Sequence, residues 1–188
     1  MIELGRPTDR KPPFKFSAFT RVGFSDTDAQ GIVYYGRYLP YFDLARVEYL
    51  RHLGLLRFES GKHEFVMRAS TVEYLAPARF DDLLEIFVRL RRLGRTSATF
   101  ECAAHSVGAA AAAPSSAARV QPGRRLRSLT RRASDSADAL GDDLLMVTAL
   151  QTLVLVELQE RRAAPIPETY RERVHAFEGD DLEVALAT

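Results

Sequence analysis

"GFSDTDAQGIVYYGRYL" (residues 23–39) is the stretch that decides the fold. Upstream, "FKFSAFTRVGF" places Phe14, Phe16, Ala18, Val22 and Phe24 at period-two spacing, which predicts a strand with one buried face. Phe19 falls on the opposite face, so that face is expected to be covered as well. Downstream, the period changes from two to that of a helix. Leu39, Phe42, Tyr49, Leu50 and Leu53 recur at helical spacing from about Arg37 to Leu53, with Ala45 close to the same stripe. Pro40 falls in the first turn, where proline is tolerated, and Gly54 falls where a left-handed C-cap is expected. The stretch is therefore a strand–loop–helix junction that carries Asp26, Asp28, Gly31, Tyr34 and Tyr35.

Two readings of its carboxylates stand on spacing alone. Asp is common in turns and at N-caps because its side chain accepts local backbone hydrogen bonds. A carboxylate just before a helix start also lies near free N–H groups and a positive dipole end. Such N–H groups can polarise a carbonyl, while the carboxylate attacks it or activates a water that does.

Working outward, four further strands are predicted at residues 64–75, 82–93, 95–107 and 144–158. Gly94 supplies a hairpin turn between the second and third of these. The last strand is apolar on both faces and is expected to be covered on both. A short helix is expected from Glu168, after Pro165 and Pro167. Residues 1–13, with Pro7, Pro12 and Pro13, read as a flexible tail, residues 14–178 as one domain, and residues 179–188 as a C-terminal tail. Residues 108–143 are rich in Ala, Ser and Arg and lack aromatics, so they read as a disordered, dispensable insertion. The order strand, helix, four strands predicts an α+β domain with an antiparallel sheet. One helix cannot cover a wide sheet, so a second subunit is expected.

The composition narrows the function. Lys and Arg total 26 against 25 Asp and Glu, a formal charge of +1, which argues against a nucleic-acid partner. The one cysteine, Cys102, allows no internal disulfide and reads as core packing. The N-terminus lacks the apolar segment of a secretory signal, and no run reaches the ~18 apolar residues of a membrane span, so a cytoplasmic protein is expected. His52, His63, His105 and His175 lack metal-ligand spacing, and no glycine-rich phosphate loop is present, so neither metal nor cofactor is expected.

The segment "DTDAQGIVYYGRYLPYFDLARVEYLRHLG" resembles the signature of the 4-hydroxybenzoyl-CoA thioesterase family, which includes the acyl-CoA thioesterases encoded with the Tol–Pal system. The pattern D-x-D-x-x-G-x-[VI]-[YW]-[YH]-x-x-Y is matched by Asp26, Asp28, Gly31, Val33, Tyr34, Tyr35 and Tyr38. "VEYLAPARFDDLLEI", "LGRTSATFE" and "QTLVLVELQERRAAPIPE" resemble later strands of that family in the same order. Ala29 stands where many relatives carry proline.

The resemblance implies a hotdog fold, an antiparallel sheet wrapped around one long central helix, and hydrolysis of an acyl-CoA to a carboxylic acid and CoA. It implies Asp28 as nucleophile or general base, the Tyr35 backbone N–H as the group that polarises the carbonyl, and Gly31 as the loop glycine. It also implies a homodimer or homotetramer with the active site at a subunit interface. The CoA nucleotide would meet basic residues near the Gly94 turn: Arg91, Arg92 and Arg95, assisted by Thr96 and Ser97. Asp26 is expected to be a turn acceptor or a partner for an arginine, and Glu48 to pair with Arg51. An acyl-ACP thioesterase and a non-catalytic acyl-CoA-binding module are the alternative readings.

Overall fold

The structure, a computed structural model, describes residues 4–56, 62–107 and 143–184. Its strands are β1 (Gly5–Lys11), β2 (Phe14–Arg21), β3 (His63–Tyr74), β4 (Leu83–Leu93), β5 (Ser97–Ser106), β6 (Leu144–Glu157), β7 (Arg162–Ala163) and β8 (Glu183–Val184). The helices are α1 (Tyr38–His52) and α2 (Glu168–Glu178). Single 3-10 turns at Phe24–Asp26, Tyr35–Arg37 and Gly179–Asp181 join them. The main sheet runs β1-β2-β4-β5-β6-β3 and is antiparallel, with β7 added to β6 and β8 added parallel to β4.

Register explains the core. Val88 pairs with Cys102, which pairs with Ala149; Ile86 pairs with Ala104, which pairs with Val147. All six are buried on one face, together with Phe16 and Ala18 of β2. Directly opposed residues of an antiparallel pair share a face, so these rows form the floor on which α1 lies. The helix answers with Tyr38, Tyr41, Phe42, Ala45, Tyr49 and Leu50, all buried. The Tyr49 ring meets Phe16, Phe100 and Phe177 edge-on at centroid distances of 5.9, 6.0 and 5.7 Å. Gly54 closes α1 at φ +68°, as its position predicted.

The shorter helix α2 extends the helical layer beyond the C-terminus of α1. Its Tyr170, Val174 and Glu178 turn inward. The β4–β5 ladder shifts register between Leu90 and Arg92. At that irregularity the Leu90 N–H donates to Glu178 Oε1 at 2.9 Å, and the Tyr49 hydroxyl donates to the same oxygen at 2.7 Å. Burial pushes the Glu178 carboxyl above its ordinary range, although both hydrogen bonds pull the other way.

Several sequence expectations are corrected. The supposed N-terminal tail contains β1, which pairs along β2. Pro7 is compatible with that position because β1 is an edge strand. Arg10 then forms ion pairs with the buried Glu85 and with Asp143, while Ser17 Oγ donates to Glu85 at 2.7 Å. The supposed C-terminal tail likewise begins with an ordered turn and β8 on β4. The first strand ends at Arg21, before the chain turns at Phe24–Asp26. In β6 the face towards α1 is buried, but Leu150 on the other face is exposed and Val154 and Val156 are half-buried. Except for Asp143, the 108–143 insertion lies outside the described residues.

Candidate active site

The loop after β2 is built around Asp26. The Phe24–Asp26 turn buries this carboxylate, and among the described residues every group hydrogen-bonded to it is a donor. Oδ2 accepts from the Tyr41 hydroxyl at 2.6 Å and the Gly23 N–H at 2.9 Å; Oδ1 accepts from Arg37 Nε at 2.7 Å. Burial works against its ionisation, but the bonds from Tyr41, Gly23 and Arg37 outweigh it and hold its pKa below the ordinary value. Asp26 is thus both the turn acceptor and the arginine partner that the sequence suggested.

Residues 27–33 close into a small ring. Thr27 bridges to Val33, the Asp28 N–H donates to the Ile32 carbonyl at 2.9 Å, and the Gly31 N–H donates to the Asp28 carbonyl at 2.9 Å. The ring needs a left-handed residue, which Gly31 supplies at φ +75°. The Gln30 N–H donates to Asp28 Oδ1 at 2.8 Å and so fixes the carboxylate plane. Among the described residues Asp28 Oδ2 makes no hydrogen bond.

Beyond the ring, the Val33 N–H donates to the Ala78 carbonyl at 2.8 Å and the Tyr34 N–H to the Asp26 carbonyl at 2.9 Å. Tyr35 then opens a 3-10 turn that runs directly into α1. Its N–H is one of the donors that a helix start leaves without an intrahelical acceptor. The Tyr74 hydroxyl, from the end of β3, donates to the Tyr35 carbonyl at 3.1 Å and positions that peptide.

Asp28 and Tyr35 line one cleft of about 510 Å³, with Tyr34, Tyr38, Tyr74 and Pro77 among its walls. A carboxylate with one oxygen unbonded among the described residues and the residue that opens the helix start therefore line a common space with aromatic walls. That is the equipment for attack on a polarised carbonyl. Among the described residues no group of three His, Cys, Asp or Glu is placed to hold a metal ion.

The structure brings Asp28, Gly31 and Tyr35 together but not the residues expected at the CoA nucleotide. β4 starts at Leu83, which pairs with Arg21 beside the loop, and ends at Leu93. The Gly94 turn is thus at the far end of the sheet, roughly 33 Å away at about 3.3 Å per residue. There Arg91 pairs with Glu183 at 3.1 Å, while Arg92 and Arg95 are exposed. The Arg95 carbonyl accepts from the Ile166 N–H at 2.8 Å, and the Thr96 carbonyl from the Leu155 N–H at 2.8 Å. Ser97 closes the turn by accepting the Gly94 N–H at 2.8 Å. Within one chain, these five residues do not reach the Asp28 cleft.

Glu48 pairs with Arg51, and Cys102 is fully buried, which pushes its thiol pKa up. Neither lines the cleft. The sequence reading missed Tyr74 and the Arg37–Asp26–Tyr41 clamp. Tyr74 stood inside "VEYLAPARF" without a local cue, and the clamp joins residues 11 and 15 positions apart.

Residues 30–112 match the family described as "Thioesterase superfamily". The chain is 43% identical over 82 residues to "Acyl-CoA thioester hydrolase YbgC" of Escherichia coli, covering 43% of this chain and 61% of that protein. It is 37% identical over 89 residues to "Acyl-CoA thioesterase YbgC" of Haemophilus influenzae, covering 46% of this chain and 65% of the relative. The match thus spans less than two thirds of these relatives' length. Among solved structures, a thioesterase superfamily protein from Jannaschia superposes with a TM-score of 0.65 at 20% identity, over 90% of this chain and 86% of that one. The chain carries the hotdog fold, and its residues 30–112 carry the sequence pattern of the thioesterase superfamily.

Proposed function

We propose that the protein is an acyl-CoA thioesterase of the 4-hydroxybenzoyl-CoA thioesterase type, related to the Tol–Pal-associated enzymes. The single observation that carries this reading is the cleft lined by both Asp28, whose Oδ2 makes no hydrogen bond among the described residues, and Tyr35, which opens the helix start. The Tyr35 N–H receives the carbonyl oxygen of the thioester, and negative charge that develops there is stabilised by the helix start. Asp28 attacks the carbonyl carbon, or takes a proton from a water that attacks it. The carbon–sulfur bond breaks and CoA leaves as the thiolate, which becomes the thiol by taking up a proton that the hydrolytic water gives up. If Asp28 is the nucleophile, water then hydrolyses the acyl–Asp28 anhydride and restores the carboxylate. The YbgC relatives' names support an acyl-CoA substrate.

The working unit in this reading is a homodimer that pairs the β3 edge with its copy, alone or within a homotetramer. β3 is a 12-residue outer strand that is largely exposed. Antiparallel pairing about a two-fold axis reverses the partner's sheet, so the partner's Gly94 end comes to the same end as this chain's Asp28. The partner's Arg92 and Arg95 can then meet the CoA phosphates that this chain's own cannot reach.

Asp28→Asn tests the reading. It removes the basic oxygen with almost no change in shape, and kcat on the best acyl-CoA is expected to fall at least about 100-fold. Wild-type turnover in that variant overturns the mechanism. Parallel assays with carrier-protein thioesters identify the carrier.

A further inference from the structure

The walls of the Asp28 cleft have a composition that bears on its substrate. Tyr34, Tyr35 and Tyr74 line it and are exposed, and Tyr38 joins them from a buried position. The Tyr34 and Tyr35 rings lie 4.3 Å apart, centroid to centroid. Tyr35 and Tyr74 meet at 6.4 Å with 79° between their planes, and Tyr38 and Tyr74 at 5.9 Å and 63°. Rings set nearly at right angles leave a corner in which one small group can touch two of them. Each hydroxyl already has a partner. Tyr34 and Tyr35 bond to each other, Tyr74 donates to the Tyr35 carbonyl at 3.1 Å, and the Tyr38 oxygen accepts the Ala78 N–H at 3.2 Å. The rings themselves are therefore what these side chains offer a ligand.

The charge beside them has one sign. Asp28 is the charged side chain of the cleft, and among the described residues its lining contains no Lys, Arg or His. Arg37, two residues beyond Tyr35, is ion-paired with Asp26. Aromatic faces carry the negative part of the ring quadrupole, so tyrosines beside a carboxylate favour a cation and disfavour an anion. A quaternary ammonium suits such walls because it carries charge without an N–H group that needs an acceptor. A primary ammonium is compact and strongly hydrated, and loses more on leaving water.

We propose that the Tyr34–Tyr35–Tyr74 corner is an acyl subsite for a short chain that ends in a quaternary ammonium. Tyr35 opens the helix start and also forms a wall of the cleft, and Tyr74 is bonded to its carbonyl. The corner thus adjoins the place of the reacting carbonyl. Three methylene groups put a terminal nitrogen about 5 Å from the carbonyl carbon, at about 1.25 Å of advance per 1.5 Å bond. A plain alkyl end of the same shape gains contact but no attraction from the rings or from Asp28, and a carboxylate end is repelled by both. This assignment deepens the thioesterase reading and rests on it for where the carbonyl sits.

The test compares kcat/KM for 4-(trimethylammonio)butyryl-CoA, its uncharged isostere 5,5-dimethylhexanoyl-CoA and the CoA monothioester of glutaric acid. Three methylene groups separate the thioester from the end group in each, so the carbonyls differ little in intrinsic reactivity. The wild type is expected to favour the cationic substrate over the isostere by at least about fivefold and to take the anionic one least. Tyr35→Leu, which keeps the backbone N–H, and Tyr74→Leu should each bring the cation-to-isostere ratio towards one. Tyr74→Phe keeps the ring and loses only the bond to the Tyr35 carbonyl, so it should keep the ratio while turnover falls on all three. Ratios within one variant cancel any general loss of activity. A wild-type ratio near or below one, a preference for the anionic substrate over the isostere, a ratio unchanged in both leucine variants, or a ratio lost in Tyr74→Phe overturns the proposal. If no thiol is released from these three or from a panel of plain acyl-CoAs, the thioesterase reading fails instead. Calorimetric titration with the cationic thioester and its isostere then decides this one: tighter binding of the cation, weakened in Tyr74→Leu, sustains it, and equal or undetectable binding overturns it.

Discussion

Tyr41 donates its hydroxyl to Asp26 Oδ2 at 2.6 Å, tying the second turn of α1 to the loop that precedes the helix. With Arg37 on the other oxygen, the carboxylate that lies outside the cleft holds the frame for the one that lines it. Two aspartates separated by one residue therefore divide the work, one buried among donors and one open to the cleft.

Asp26→Asn should destabilise the fold by about 2–3 kcal/mol in urea unfolding at pH 7. The asparagine NH₂ meets only donors, and the charge that strengthened the bonds is gone. The pH dependence has a definite sign. A carboxylate whose folded pKa lies below its ordinary 3.8 stabilises above that value and loses its contribution as pH falls through the folded one. The gap between wild type and Asp26→Asn should therefore narrow as pH drops below about 4.

Tyr35→Pro isolates a single N–H. Proline is tolerated at the first position of a helical turn, and Tyr34 already has the extended ψ of 130° that a residue before proline prefers. Circular dichroism should be preserved while kcat falls about 100- to 1,000-fold, the usual effect of losing one oxyanion donor. Tyr35→Ala keeps the N–H and should lose far less. Equal losses in the two variants contradict the backbone role.

Gly31→Ala separates backbone strain from crowding. A Cβ at this position meets nothing within 4 Å, so only the φ of +75° resists the change. Thermal unfolding should report a cost of about 1–2 kcal/mol. Gly31→Asn should cost less, because asparagine tolerates the left-handed region.

Glu178→Gln and Glu178→Ala distinguish a buried charge from a buried acceptor. Burial raises the folded pKa of Glu178. Its contribution is therefore fully present below the unfolded carboxylate value and is lost as pH rises through the raised folded one. Glutamine keeps an acceptor for Tyr49 and Leu90 without the charge, so Glu178→Gln should match or exceed wild-type stability at pH 7. Alanine leaves both donors unpaired and should cost about 2–4 kcal/mol. Chemical denaturation at pH 5 and pH 8 checks both expectations.

Much of the fold was legible because its signals are local. The predicted strands at 64–75, 82–93, 95–107 and 144–158 lie within two residues of β3, β4, β5 and β6 at either end, and α1 occupies the helical stripe after Pro40. β1 was not legible. Its prolines and charges suggest a tail, and what orders it is Arg10 meeting Glu85 and Asp143, partners 75 and 133 residues away. In the site, the Asp28–Gly31–Tyr35 loop could be read from one short segment. The distance from that loop to the Gly94 turn could not, because it depends on β2 pairing with β4, which makes β4 run away from Asp28.

The bond from Leu90 N–H to Glu178 also bears on synthesis. β4 leaves the ribosome well before the residue that completes its bulge, because Glu178 lies 88 positions further along the chain. A nascent chain can pair β4 with β5 early, yet the bulge keeps an unsatisfied donor until the end of α2 emerges. The last step of folding at that end of the sheet is therefore reserved for the finished C-terminal helix, and chains released before it carry a defect at the centre of their sheet.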